Sequence, residues 1–117
     1  MGISGARAIR VPLDGDARHD LRAMADAVTD RTRLVLVCSP NNPTGSCLTR
    51  AERDALLALA AERGFAIIAD EVFMDYRLEP APGAAGSLAA VQAPPALLFV
   101  LNGISKMLGL PQMKLAW

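Results

Sequence analysis

Three uninterrupted apolar runs mark this chain: Leu34–Cys38 (LVLVC), Phe65–Ala69 (FAIIA) and Leu97–Leu101 (LLFVL). Apolar runs of this length, bounded by turn signals, predict strands covered on both faces in a parallel sheet. Helical spacing fills the intervals. Leu21, Met24, Ala25 and Val28 fall at i, i+3, i+4 and i+7, with Asp20 placed as an N-cap. Thr49 followed three residues later by Glu52 forms a capping box, which opens an Ala- and Leu-rich helix over Arg50–Arg63 that closes at Gly64. Strand, helix and strand in this order form a crossover unit, expected to be right-handed. Ala6–Leu13 alternates loosely and contains Pro12, so it predicts a short edge strand ahead of the Asp14–Gly15 turn. After Tyr76 the periodicity fades through Pro80–Gly86 (PAPGAAG), and a short helix is expected over Ser87–Gln92 before Pro94 and Pro95.

Composition narrows the class. With 117 residues, 52% hydrophobic and 21% charged, the chain suits one modest globular domain. Twelve basic residues balance twelve acidic ones, which argues against nucleic-acid or membrane-surface binding driven by bulk charge. No apolar run approaches a membrane span, and the first ten residues lack the apolar core of a secretory signal. Cys38 and Cys47 fit neither a disulfide scaffold nor a zinc spacing, so a cytoplasmic location is the expectation. His19, the single histidine, lies beside the Asp20 cap and is expected to be solvated or to help cap the helix.

The chemistry gathers where the apolar runs end. Open α/β sheets bind ligands at the carboxyl ends of their strands. The first run ends in Ser39–Gly45 (SPNNPTG), where two prolines stiffen the backbone and Gly45 permits a turn. That loop either displays Asn41 and Asn42 at the sheet edge or simply makes an Asx-type turn into the next helix. The second run ends at Asp70 and Glu71, and the third leads through Asn102–Gly103–Ile104 to Ser105–Lys106. An amide, a carboxylate and an amine are thus expected in one crevice. A lysine delivered to a partly buried site loses its proton more readily and becomes a nucleophile toward carbonyls. The alternative is that Lys106 and Asp70 form a structural ion pair.

Taken together, SPNNPTG (Ser39–Gly45), ADEVF (Ala69–Phe73) and ISKMLGLP (Ile104–Pro111) resemble the successive signatures of class I/II aminotransferases. These are pyridoxal-phosphate enzymes of fold type I. The resemblance implies an α/β fold, a mostly parallel sheet with flanking helices, belonging to the cofactor-binding large domain. It implies that Lys106 holds pyridoxal 5′-phosphate as a Schiff base and moves the substrate α-proton, and that Asp70 pairs with the pyridine nitrogen. It also implies that Asn42 donates to the cofactor's phenolic oxygen, and it points to a cis Asn42–Pro43 bond.

Several positions depart from the family pattern. Phe73 stands where many members carry a tyrosine that donates to the phenolic oxygen, and Tyr76 lies further along. Lys114 occupies the place of a phosphate-binding arginine, supplying charge without a bidentate fork. Gly103 replaces a common phosphate-contacting serine, Ala116 a frequent glycine, and Ser105 is either a phosphate contact or a loop residue. The family is several hundred residues long, so residues 1–117 are expected to be a partial large domain, lacking the parts of the family fold on either side. The implied reaction moves an amino group between an amino acid and a 2-oxo acid in a homodimer, without nucleic-acid or membrane partners. A carbon–sulfur β-lyase or decarboxylase of the same fold would use the same three residues, and aminotransferase-like domains also serve as ligand sensors in transcription regulators. The short chain by itself is expected to be inactive.

Overall fold

The computed structural model of the protein describes residues 5–76 and 82–117. The three apolar runs become strands β1 (Leu34–Cys38), β2 (Ala66–Asp70) and β3 (Leu98–Leu101). They form one sheet in the order β1-β2-β3, and both pairings are parallel. The register sets Cys38 beside Asp70 and Asp70 beside Leu101, so all three strands end on one line. Backbone bonds extend that alignment past the strand ends: Ser39 N–H donates to the Asp70 carbonyl (3.0 Å) and Glu71 N–H to the Leu101 carbonyl (2.9 Å).

Helices α1 (Leu21–Ala27) and α2 (Arg50–Arg63) flank the sheet. Asp20 caps α1 by accepting from Ala23 N–H, as its spacing predicts. In α2 the capping box is complete: Thr49 Oγ1 accepts from Glu52 N–H while Glu52 Oε2 accepts from Thr49 N–H. Gly64 ends α2 at φ 72°, a left-handed backbone that costs a residue with a Cβ about 1–2 kcal/mol. The apolar stripe of α2 (Leu56, Leu57, Ala60) meets Val37, Ile67 and Ala69 from one face of the sheet, with Met24, Leu48, Phe65 and Leu88 completing the core.

The other sheet face corrects an expectation. Side chains alternate across a strand, so Leu36, Ile68 and Phe99 share the face opposite the core. Leu34, Leu36, Phe99 and Leu101 are 46, 56, 48 and 41% exposed on it, so the strands are buried on one face rather than two. An all-apolar run records that a strand is meant to be covered twice; it does not say by which segment. Ala6–Leu13 forms no strand either. Among the described residues Leu13 makes an isolated bridge with His19, and Pro12 offers no donor for a longer ladder. The segment expected to be helical over Ser87–Gln92 is a single 3-10 turn, Leu88–Ala90, capped by Ser87. Of the expected PAPGAAG linker, Pro80 and Ala81 lie outside the described residues.

Arg18 ties this framework together, reaching α2 through a fork of 3.1 and 2.7 Å to the Glu52 carboxylate. Burial alone raises the carboxyl pKa of Glu52. The Arg18 hydrogen bond, the Thr49 backbone and hydroxyl donors and the Arg18 charge together outweigh burial and lower it to about 2. A carboxyl lowered from 4.5 by folding stabilises the native state above that value and loses its contribution as pH falls toward 2. After screening at this partly open site the contribution is on the order of 1 kcal/mol. Glu52→Gln is therefore expected to flatten stability against pH between about pH 5 and pH 2, measured by chemical denaturation. Superimposable acid limbs for mutant and parent would count against the ion pair.

Candidate active site

The carboxyl edge of the sheet assembles the candidate site. From β1, the loop after Cys38 folds on itself: Asn41 N–H donates to the Ser46 carbonyl (2.8 Å) and Gly45 N–H to the Asn41 carbonyl (2.7 Å). The Asn41 amide donates to Thr44 Oγ1 (2.9 Å), so Asn41 is the Asx-type brace of this turn. Asn42 is instead exposed at the tip. The Asx-type reading of the loop holds for Asn41. Ser39–Pro40 and Asn42–Pro43 are cis, the second as expected. Ser39 is buried, and its hydroxyl accepts from Leu48 N–H (3.0 Å), pinning the loop base to the core.

From β2 comes Asp70, half-buried, with Oδ1 accepting from Val72 N–H at 3.1 Å. Burial first, and then the Asp70 charge, push the neighbouring Cys38 thiol pKa upward. Glu71 points elsewhere. It is 2% exposed, and its two carboxylate oxygens accept from the Ser87 hydroxyl (2.6 Å) and Leu88 N–H (2.7 Å). Two donors make that burial tolerable, and they anchor the Leu88 turn beneath the strand end. Sequence reasoning gave Glu71 no role; the Ser87 cap 16 residues on was the available signal.

From β3, Asn102–Gly103 leads into the single turn α3 (Ile104–Met107), which carries Lys106. The last residues fold back along it. Asn102 and Trp117 exchange backbone hydrogen bonds (2.8 and 3.0 Å), Gly103 bridges Ala116, and Ser105 Oγ donates to the Met113 carbonyl (3.1 Å). Ser105 is thereby a loop brace. A Cβ at Gly103 would lie 3.0 Å from the Leu115 carbonyl oxygen, so a larger residue would require the returning strip to shift by a few tenths of an ångström. Lys114 sits on the returning strip, exposed, on the same loop system as Lys106.

Lys106 is exposed rather than partly buried. Its Nζ lies over the Phe73 ring, 5.7 Å from the centroid, and Phe73 meets Tyr76 edge-on at 6.3 Å. The Tyr76 hydroxyl donates to the Lys106 backbone carbonyl. The segment just after Asp70 thus holds both the head and the backbone of the lysine. Among the described residues the ion pairs are Arg18–Glu52, Arg53–Asp54 and Arg63–Glu62, and none joins Lys106 to Asp70. The simple ion-pair alternative has no support.

Asp70 thus closes β2, Asn42 lies in the loop that follows β1, and Lys106 lies in the helical turn that follows β3, at the edge where the three strands end. Among the described residues, no ion pair engages Lys106, and Asp70 accepts from one backbone donor. An amine, a carboxylate and the exposed Asn42 amide are therefore open to a ligand with a carbonyl and polar groups. These are the groups that the sequence pairs with pyridoxal phosphate; Lys114, its expected phosphate cation, lies eight residues after Lys106.

Comparison with known proteins gives a consistent result. The family model described as "Aminotransferase class I and II" matches residues 1–117. The chain is 46% identical over 81 residues to the aromatic amino acid aminotransferase of Rhodococcus jostii, covering 69% of this chain and 22% of that protein. It is 41% identical over 116 residues to the histidinol-phosphate aminotransferase of Moorella thermoacetica, covering 98% of this chain and 29% of the relative. The crystal structure of the aromatic aminotransferase from Pyrococcus horikoshii superposes with a TM-score of 0.81 at 26% identity, over 92% of this chain and 29% of that one. The chain spans about a fifth to a third of the length of the curated relatives it matches.

Proposed function

This chain belongs to the class I and II aminotransferase family, and from that premise we propose that it is the central part of the large domain of a pyridoxal-phosphate-dependent aminotransferase. The observation that carries the reading is the common end line of three neighbouring parallel strands, at which Asp70 closes β2 and from which the chain runs on to Asn42 after β1 and Lys106 after β3. The family implies the cofactor and substrates of the amino-acid and 2-oxo-acid class. Relatives named as aromatic amino acid aminotransferases favour an aromatic amino donor, and their aminotransferase names favour transfer over lyase or decarboxylase chemistry. We place the protein in the cytoplasm as a homodimer; its free thiols, Cys38 and Cys47, suit a reducing compartment. No helix among the described residues is long and apolar enough to cross a membrane.

Pyridoxal phosphate, when bound, supplies an electron-withdrawing ring that stabilises negative charge developing at the substrate α-carbon. The protein's own residues supply the rest. Lys106 would hold the cofactor through Nζ and, once freed by the incoming substrate, its amine would take the proton from the substrate α-carbon. The Asp70 carboxylate, steadied by Val72 N–H, would keep the ring nitrogen protonated. Asn42 would donate its amide to the phenolic oxygen, and Lys114 would supply positive charge for the phosphate. Phe73 contacts the Lys106 amine through its ring face, and Tyr76 bonds to the Lys106 backbone. The test is a half-reaction on the full-length protein loaded with pyridoxal phosphate. An aromatic amino acid should be converted to its 2-oxo acid with one amino group retained per site; release of ammonia or carbon dioxide instead would replace transfer with elimination or decarboxylation.

A further inference from the structure

The loop that carries Asn42 is gripped from outside at both of its ends by one short turn. Residues 14–19 are self-braced: Asp14 Oδ1 accepts from Asp16 N–H (3.0 Å) and Arg18 N–H (2.9 Å), and Asp14 N–H donates to the Arg18 carbonyl (2.9 Å). Three consecutive residues then reach the loop. The Ala17 carbonyl accepts from Ser46 Oγ (2.9 Å), the Arg18 guanidinium donates to the Cys47 carbonyl (2.8 Å), and His19 Nε2 donates to the Cys38 carbonyl (2.9 Å). Cys38 opens the loop and Ser46–Cys47 closes it, so the contacts bracket Asn42 without touching it. Arg18 is fastened in its turn by the two-point fork to Glu52, itself locked into the cap of α2.

We propose that Arg18 and His19 are positioning residues that hold Asn42 in place for the cofactor, by fixing both ends of its loop to the α2 cap and the end of β1. The proposal rests on the reading of Asn42 as a cofactor contact. Fixing both ends of a short loop removes conformational freedom that would otherwise be lost on binding. A carbonyl acceptor at each end and a charged donor give the clamp geometric definition as well as energy. Arg18→Lys would keep the charge but lose the planar fork that spans Cys47 and Glu52.

The experiment compares full-length parent, R18K/H19A and the milder S46A, with pyridoxal phosphate as the probe. Hydrogen exchange without cofactor is read at the amides of Asn41 and Gly45, whose acceptors lie inside the loop, and at Ile67 and Glu71, whose acceptors lie in the neighbouring strand segment. The clamp predicts about tenfold or greater loss of protection at Asn41 and Gly45 with little change at Ile67 and Glu71, and a smaller loss of the same pattern in S46A. It also predicts roughly tenfold weaker cofactor binding in R18K/H19A, with Asn42→Ala adding less in that background than in the parent. Unchanged loop protection, equal loss at all four amides, or a fully additive Asn42→Ala effect would overturn the clamp. Should R18K/H19A fail to fold, S46A decides by the same four amides. A parent that binds no pyridoxal phosphate would instead remove the cofactor reading, and the exchange pattern would still decide whether the loop is clamped.

Discussion

Replacing Lys106 by alanine in the full-length protein is expected to lower amino transfer by roughly 10⁴-fold or more, since one amine serves both as covalent holder and as proton carrier. The fold should survive. Lys106 is exposed, and the Tyr76 hydroxyl bonds to its backbone carbonyl, which the substitution leaves in place. Thermal stability is accordingly expected to change by no more than about 0.5 kcal/mol, the range of ordinary surface substitutions. Lys106→Arg sharpens the test. It keeps positive charge over the Phe73 ring but offers no nucleophile at neutral pH, so it should be as inactive as the alanine variant. Substantial activity in Lys106→Arg, measured by steady-state transamination, would assign Lys106 a purely electrostatic role.

Asp70→Asn should capture pyridoxal phosphate to within about tenfold of the parent and yet remove the substrate α-proton about 10³-fold more slowly, near 4 kcal/mol in the barrier. The asparagine carbonyl can still accept from Val72 N–H, so the strand end keeps its hydrogen bond and the lost quantity is charge. An amide cannot hold the ring nitrogen protonated. Stopped-flow rates with α-protio and α-deuterio amino acid separate this step from binding, and the isotope effect should grow in the variant. Equal rates in variant and parent would dismiss the carboxylate from the chemistry.

Much of the architecture was legible because it rests on local signals. The Thr49–Glu52 pair and Gly64 delimit α2 as expected, and the unbroken apolar runs mark β1, β2 and β3 to within a residue. Asn42, Asp70 and Lys106 could be assigned to one edge because parallel strands deliver their carboxyl ends together. What sequence could not supply depends on topology. His19, expected to be solvent-facing or a helix cap, bonds to the Cys38 carbonyl 19 positions away. Arg18 finds Glu52 across 34 positions, and Glu71 finds Ser87 and Leu88. Ala6–Leu13 alternates like a strand but forms none, and Leu36 and Phe99 look like core but lie on an open sheet face. Periodicity reports what a segment needs, whereas the partner that meets the need comes from elsewhere in the fold.

The account depends on the amine at the end of β3 being the one that meets the cofactor. This chain contains two lysines, Lys106 and Lys114, which makes the assignment directly measurable. The full-length protein is loaded with pyridoxal phosphate, reduced with borohydride, digested and mapped by mass spectrometry. The reduced pyridoxyl group should appear stoichiometrically on Lys106 and vanish in Lys106→Ala. A label that sits on Lys114 or on a lysine outside this chain, with Lys106 unmodified, would contradict it.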